Sequence, residues 1–174
     1  MQNLVLIACL AGLVAASAAT AQTPASQPAS GGTPAKMPFD IPYGTPIGLD
    51  TAKKLLAIAE AEAKRRDWKM NIAVVDPHGD LLAFERMDGA QYASIAISQK
   101  KALTAARFRR ETRVFYDQFE SGHAYVSTLD PDLVASPGGF PLVDGGKLVG
   151  AIGCSGGTGE QDAAVCKVAA DTMK

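Results

Sequence analysis

Residues 138–162 constrain the fold more than any other part of this chain and read GGFPLVDGGKLVGAIGCSGGTGEQD. Two short runs of strand-forming residues, 141–143 and 148–152, are separated by Asp-Gly-Gly at 144–146. The glycines of this triplet supply the positive backbone φ angles that a tight hairpin turn requires. The spacing therefore predicts two antiparallel strands that reverse direction at residues 144–146.

A glycine-rich turn follows this hairpin and leads into a helix. Thr158 stands three residues before Gln161, which is the spacing of a capping box, so the helix is predicted to start near Thr158. Unpaired backbone N–H groups at such a turn bind anions, and glycines let a ligand approach closely. We therefore predict a site for a carboxylate or phosphate at Ser155, Gly156, Gly157 and Thr158. The alternative is a helix capped by its own side chains, with glycines serving only chain reversal.

The preceding part of the chain alternates helical and strand patterns. Residues 52–63 carry apolar side chains at helical spacing, and residues 68–85 indicate two strands joined by Asp-Pro-His-Gly-Asp. Two helices are predicted over residues 94–108 and 112–120, followed by a weak extended segment at residues 125–129. Because hairpins make neighbouring strands antiparallel, we predict an α+β domain with one antiparallel sheet of about five strands flanked by helices.

The N-terminal part differs in composition from the rest, since the first charged residue is Lys36. Residues 1–21 are predicted to be a secretory signal peptide, although no Lys or Arg precedes their apolar stretch. Residues 22–48 are rich in Pro, Ser, Thr and Gly and are predicted to be a flexible linker. The last apolar residues of this linker alternate and suit docking on the domain: Phe39, Ile41 and Tyr43. Residues 49–174 are predicted to be one domain.

The charge balance bears on the classes of partner, and the cysteines bear on disulfide formation. Seventeen basic and eighteen acidic residues give a net charge of -1 without a polybasic stripe, so nucleic acid is not expected as a partner. The apolar run at residues 4–14 is too short for a stable membrane span. Export would leave Cys154 and Cys166 in a compartment that permits oxidation. A disulfide needs Cβ atoms about 4 Å apart, which is doubtful between a strand end and a helix interior. We therefore expect two buried free thiols, with pairing as the alternative.

Three motifs carry a family resemblance in one order: MNIAVVDPHGDLLAFERMDGA, KALTAARFRRET and the 138–162 segment. The chain resembles the haem-binding and haem-degrading GlcG/HbpS family, related to the C-terminal domain of PduO-type corrinoid proteins. The resemblance implies a profilin- or PAS-like fold with a five-stranded antiparallel sheet and assembly into homo-oligomers. It also implies that some members bind a tetrapyrrole or iron, and that secreted members bind haem outside the cytoplasm.

Haem binding requires an apolar slot, an iron ligand, and cations or amides for the two propionates. His123, in a loop, is the preferred metal ligand, and His78, in the first hairpin turn, is the other histidine. Each histidine has a simpler interpretation as a solvated surface residue. Met87 and Tyr125 are further possible donors. Four arginines near a helix end are candidates to clamp propionates or to form a solvated helix terminus: Arg107, Arg109, Arg110 and Arg113.

A second polar group lies at the junction between the first hairpin and the next helix. Arg86 and Asp88 are predicted to close over a pocket beside the 155–158 turn. The structural alternative is that Asp88 caps the following helix and that Arg86 pairs with Glu85 or Asp162.

These patterns support a functional hypothesis without identifying a catalytic residue, since no nucleophile comes with a base. The first hypothesis is an exported haem or tetrapyrrole binding protein, periplasmic or secreted, acting in sequestration, transport or sensing. The alternative is an enzyme or accessory subunit that binds a small carboxylate, such as a hydroxy acid, at the 155–158 turn.

Overall fold

The computed structural model describes residues 35–37 and 39–173. Four α-helices, four strands and one 3₁₀-helix follow one another in this part of the chain. Their order is α1 (Leu49–Arg65), β1 (Asn71–Val75), β2 (Leu81–Arg86), α2 (Ala93–Phe108), α3 (Arg113–Glu120), the 3₁₀-helix (Ala124–Thr128), β3 (Gly139–Asp144), β4 (Lys147–Ser155) and α4 (Gly159–Ala170). Within these residues, no helix combines the length and apolar character needed to cross a bilayer.

The described strands form one antiparallel sheet in the order β2-β1-β4-β3. The α+β class is therefore confirmed, whereas the prediction of about five strands is wrong because the sheet has four. Of the segment predicted as extended at 125–129, residues 125–128 lie in the 3₁₀-helix and Leu129 follows its end. There the Ser127 and Thr128 hydroxyls donate to the backbone carbonyls of Ala124 and Tyr125. Such local hydrogen bonds compete with strand pairing.

The helices cover both faces of the sheet. Ile72 and Val74 of β1 belong to the larger apolar cluster, which includes the buried sides of α1 and α4. Ala73 and Val75 point to the opposite face and pack with the alanines of α2. Since successive strand residues face opposite sides, all five residues of β1 are buried.

Glycines in the sheet allow α2 to approach closely. A Cβ atom at Gly153 of β4 would meet the carbonyl oxygen of Ser98 and would lie 2.5 Å from the backbone nitrogen of Ala102. Gly139, the register partner of Gly153 on β3, would similarly meet the Lys101 carbonyl. Helix α2 thus packs directly on the backbone of the sheet.

A segment before α1 also contacts the sheet, and we call residues 39–47 the strap. Gly44 N donates to Leu148 O at 2.7 Å, Leu148 N donates to Pro42 O at 2.8 Å, and Ile47 N donates to Val149 O at 3.0 Å. This part of β4 extends past the end of β1, which leaves its backbone free to pair. The strap belongs to a compact unit that begins at Lys36. The predicted signal peptide lies outside the described residues.

Cys154 and Cys166 form a disulfide with a Cα–Cα distance of 5.6 Å. The expectation of two free thiols is therefore wrong. Helix α4 turns back over the sheet after the glycine-rich turn and packs against β4. This reversal brings the second helical turn over the strand end, which sequence separation alone did not indicate.

Candidate functional site

The glycine-rich turn has the predicted helix start but not the predicted free donors. Thr158 is the N-cap of α4, and its capping box with Gln161 is complete, which confirms the expected start. The amides of Gly156 and Gly157 donate to Asp162 Oδ1 at 3.0 and 2.9 Å, and the Thr158 amide donates to Gln161 Oε1. The prediction of unpaired amides is therefore wrong, because the chain itself supplies the anion.

Asp162 is held from its other oxygen by a buried cation. Lys101 Nζ donates to Asp162 Oδ2 at 2.7 Å and to Pro137 O at 2.7 Å, and both side chains are almost fully buried. Burial raises the pKa of Asp162 and lowers the pKa of Lys101, while the attraction between the two charges opposes both shifts. Through these hydrogen bonds Lys101 connects α2 to α4 and to the loop before β3. Because the Gly156, Gly157 and Thr158 amides are already occupied, they are not free to bind the carboxylate ligand of the alternative hypothesis.

Arg86 and Asp88 lie near the glycine-rich turn without contacting Asp162. Asn71 pairs with Arg86 of β2 on one side and with Ser155 of β4 on the other, so β1 separates the two predicted groups. Arg86 is exposed, and its guanidinium lies 5.1 Å from the ring centre of Tyr92. Asp88 is exposed in the following turn.

The four turn residues do not share one cavity. Gly156 and Gly157 line a shallow cavity of about 310 Å³ that also includes Gly89 and Lys69. Thr158 lines a separate cavity of about 220 Å³. The Ser155 hydroxyl is buried and donates to the Ser94 hydroxyl at 2.9 Å. The structure thus divides the predicted ligand site into a buried polar contact and two separate surface hollows.

A larger cavity, which we call the strap cavity, lies between the strap, the β1–β2 turn and the end of α2. Its volume is about 390 Å³, within the range of ligand-binding pockets. Aromatic, apolar and cationic groups meet there, and the lining residues are Tyr43, Gly44, Pro77, His78 and Arg107.

The β1–β2 turn fixes the backbone of His78 and leaves its ring accessible. Asp76 Oδ1 accepts hydrogen bonds from the backbone amides of His78, Gly79 and Asp80 at 2.8 to 3.0 Å. The His78 side chain is 83% exposed, and its Nδ1 lies 3.8 Å from Asp76 Oδ2. This separation is too long for a hydrogen bond, so Asp76 does not fix the ring, and Nε2 is the ring nitrogen farther from the carboxylate.

Arg107 is the member of the predicted arginine cluster that lines the strap cavity. Its Nε donates to the His78 carbonyl at 3.2 Å, and its Nη1 lies 3.4 Å from Asp130 Oδ2. The other three arginines have different partners: Arg109 and Arg110 contact the strap, and Arg113 pairs with Glu160. The four arginines therefore do not form one site: one lines the strap cavity, two contact the strap, and one pairs with Glu160.

His123 lies outside the lining of the strap cavity, at the start of the 3₁₀-helix. Its Nδ1 is 3.1 Å from the Ser121 hydroxyl, and its ring meets Tyr125 edge to face with ring centres 6.1 Å apart. Met87 is buried in the main core. The described residues contain no cluster of three or more His, Cys, Asp or Glu side chains suited to a metal ion.

The fold is that of a small α+β domain with a cavity beside the strap. Residues 47–171 match the family described as haem degrading protein HbpS-like, so the chain belongs to the HbpS-like family.

Individual relatives agree with this assignment. Protein GlcG of Escherichia coli strain K12 is 43% identical over 104 residues, covering 60% of this chain and 77% of GlcG. The crystal structure of HbpS superposes with a TM-score of 0.69 at 25% identity, covering 80% of this chain and 99% of HbpS. The crystal structure of a PduOC:heme complex superposes with a TM-score of 0.69 at 27% identity, covering 75% of this chain and 96% of the PduOC chain. These comparisons support haem as a candidate ligand of this chain.

Sequence reasoning missed two parts of this arrangement. The buried Lys101–Asp162 pair joins residues 61 positions apart, and no local pattern links them. The contribution of Tyr43 to a cavity was also missed, although its alternation with Phe39 and Ile41 had suggested docking.

Proposed function

We propose that this protein binds haem at the strap cavity. Two comparisons support haem as the ligand: the chain belongs to the HbpS-like family, and a PduOC:heme complex shares its fold. The donor set of the cavity is the observation that carries it. An accessible imidazole and an arginine lie on one cavity whose remaining walls are aromatic and apolar.

The residues present supply three of the groups that haem binding needs: an imidazole, one cation and apolar surface. A bound haem would supply an iron that accepts a nitrogen ligand, and His78 would offer Nε2 for this role. Arg107 would offer its cation to a propionate carboxylate, with Nε and Nη1 already in contact with the His78 carbonyl and Asp130 Oδ2. Tyr43 gives exposed apolar surface for the macrocycle, whereas Pro77 lines the cavity but is itself buried. The polar groups are few and convergent, as in other small-molecule sites.

Hemin titration of the purified protein tests this proposal. We expect a saturable shift of the Soret band at a fixed stoichiometry, and we expect His78→Ala to change the position of the band. His123→Ala is the matched control, because it removes the other histidine at a similarly exposed site. If the Soret band changes in His123→Ala and not in His78→Ala, the iron ligand is His123, the residue preferred from the sequence. No saturable shift at all would refute haem binding.

Arg107 tests the second contact. We expect Arg107→Ala to weaken hemin binding and to make the remaining binding less sensitive to salt, since a charge pair with a propionate is screened by ions. The matched control is Arg113→Ala, which removes an arginine that pairs with Glu160 outside the strap cavity. Equal losses in the two variants would count against a specific propionate contact.

We further propose that the protein is exported and acts on haem outside the cytoplasm, in sequestration, transport or sensing. The Cys154–Cys166 disulfide supports this location, because disulfides persist mainly in oxidising compartments. Mass spectrometry of protein recovered from the periplasm or medium should give a chain beginning at Gln22, with no thiol labelled by maleimide under denaturing conditions. A full-length, fully labelled protein in the cytoplasm would contradict export.

A further inference from the structure

The strap contributes to the cavity from positions before the start of the family match. The family match begins at residue 47, whereas Tyr43 and Gly44 line the cavity from earlier positions. One wall of the proposed haem site therefore comes from a part of this chain that the match leaves out.

Backbone pairing holds the strap in a fixed place. Tyr43 and Leu148 form a parallel bridge, and the amides of Gly44 and Ile47 donate to β4. A Cβ atom at Gly44 would lie 2.9 Å from Cβ of Lys147 and 3.3 Å from the Leu148 carbonyl. The strap thus runs against β4 with no space for a side chain at this glycine.

Two arginines from the end of α2 hold the other end of the strap. Arg109 donates to the Ile41 carbonyl at 2.9 Å, and its guanidinium lies 5.3 Å from the Tyr43 ring centre. The Arg110 guanidinium lies 3.6 Å from the ring centre of Phe39. These contacts account for two arginines of the cluster that the cavity does not use directly.

The Tyr43 hydroxyl is hydrogen-bonded, whereas the residue remains partly exposed to solvent. The hydroxyl donates to the Arg107 carbonyl at 3.3 Å, next to the cation proposed for a propionate. The residue is nevertheless 55% exposed. An anchored aromatic ring with a free surface at a cavity suits contact with a flat aromatic ligand.

We propose that Tyr43 contacts the bound tetrapyrrole and that the docked strap sets the affinity of this site. This inference rests on the proposed haem function and deepens it, because it assigns a ligand contact to a named residue of the strap. Arg109 acts as a positioning residue, since it holds the strap without lining the cavity.

Hemin titration of the full chain tests the contact with two substitutions. Tyr43→Ala should raise the dissociation constant roughly 5- to 10-fold, since the aromatic contact is lost. Tyr43→Phe keeps the ring and should stay within about 2-fold of the unsubstituted protein. Tyr116→Ala is the control, because it removes another partly exposed tyrosine away from the strap cavity. A Phe variant as weak as the Ala variant would overturn the assignment to the ring.

Arg109→Asn tests the strap without touching the cavity wall. Arg109 has a backbone φ of 55°, a left-handed conformation that asparagine tolerates, so the helix end should be retained. Loss of the guanidinium should free the strap and raise the hemin dissociation constant roughly 2- to 5-fold. Hydrogen exchange at the Gly44 and Leu148 amides should accelerate in the same variant. If Tyr43→Ala fails to fold, the hemin affinity of Arg109→Asn decides whether the docked strap contributes to binding.

The outcomes separate the two levels of the proposal. Saturable hemin binding that responds to His78→Ala but not to Tyr43→Ala or Arg109→Asn would keep the haem function and overturn the role of the strap. Absence of saturable binding in the unsubstituted protein would overturn both.

Discussion

The ammonium nitrogen of Lys101 lies 2.7 Å from Oδ2 of Asp162, and the two side chains are 1% and 3% exposed. Removing the cation should leave a buried carboxylate that only the Gly156 and Gly157 amides stabilise. Lys101→Met should therefore lower the free energy of unfolding by about 3 to 5 kcal/mol, measured by urea denaturation. Lys167→Met, at an exposed pair with Asp171, should cost less than about 1 kcal/mol.

A second substitution should partly rescue the first. Asp162→Asn in the Lys101→Met background removes the uncompensated charge, while the amide oxygen of asparagine can still accept from the two glycine amides. The double variant should be more stable than Lys101→Met alone by about 1 kcal/mol or more. A double variant less stable than the single one would show that the charge on Asp162 is not the source of the loss.

Gly153 offers a test of the close packing between β4 and α2. Gly153→Ala should force α2 away from the sheet, because a Cβ atom there would meet the backbone of Ser98 and Ala102. We expect a loss of about 3 kcal/mol in the free energy of unfolding. Gly48→Ser is the control, since nothing lies within 4 Å of a Cβ at this N-cap and serine suits the position. A Gly153→Ala protein as stable as the control variant would refute the close approach.

The disulfide should contribute measurably to stability. Cys154 and Cys166 are 12 residues apart, so their bond closes a short loop in the unfolded chain. Replacing both with alanine should lower the free energy of unfolding by about 3 kcal/mol. Dithiothreitol during urea denaturation should destabilise the unsubstituted protein by a similar amount and leave the double variant unchanged. A reductant effect of equal size on both proteins would point away from this bond.

The sequence predicted those parts of the fold that follow local rules. The Asp-Gly-Gly hairpin, the capping box at Thr158 and the α+β class are observed, because turn chemistry and capping depend on neighbouring residues. The resemblance to the GlcG/HbpS family was also confirmed. The strand predicted at residues 125–129 was wrong because hydroxyl groups in that segment bond to nearby carbonyls.

The candidate site was harder to predict because it depends on distant contacts. The glycine-rich turn was expected to bind a ligand anion, but Asp162 folds back to occupy its amides. The Cys154–Cys166 bond depends on how α4 crosses β4, which sequence separation does not determine. The strap cavity joins Tyr43 to His78 and Arg107 through pairing with β4, and each residue alone resembles an ordinary surface position.

Acid should weaken the end of α1 through Glu62. Hydrogen bonds from Arg65 and then Arg66 lower the pKa of Glu62 from 4.5 to about 2. Between these two values the unfolded chain binds more protons at this position than the folded protein does. The contribution of Glu62 to stability is therefore complete above pH 4.5 and is lost as the pH falls towards about 2.

Urea midpoints measured from pH 6 to pH 2.5 check this dependence. Glu62→Gln should lower the midpoint at pH 6 and should show a smaller further decrease on acidification than the unsubstituted protein. Glu120→Gln, which neutralises one exposed carboxylate on α3, is the charge-matched control and should follow the unsubstituted protein. Because the Arg65 side chain is exposed, 0.5 M NaCl should reduce the difference between Glu62→Gln and the unsubstituted protein. Parallel curves for all three proteins would show that the pairing of Glu62 does not contribute to the acid response.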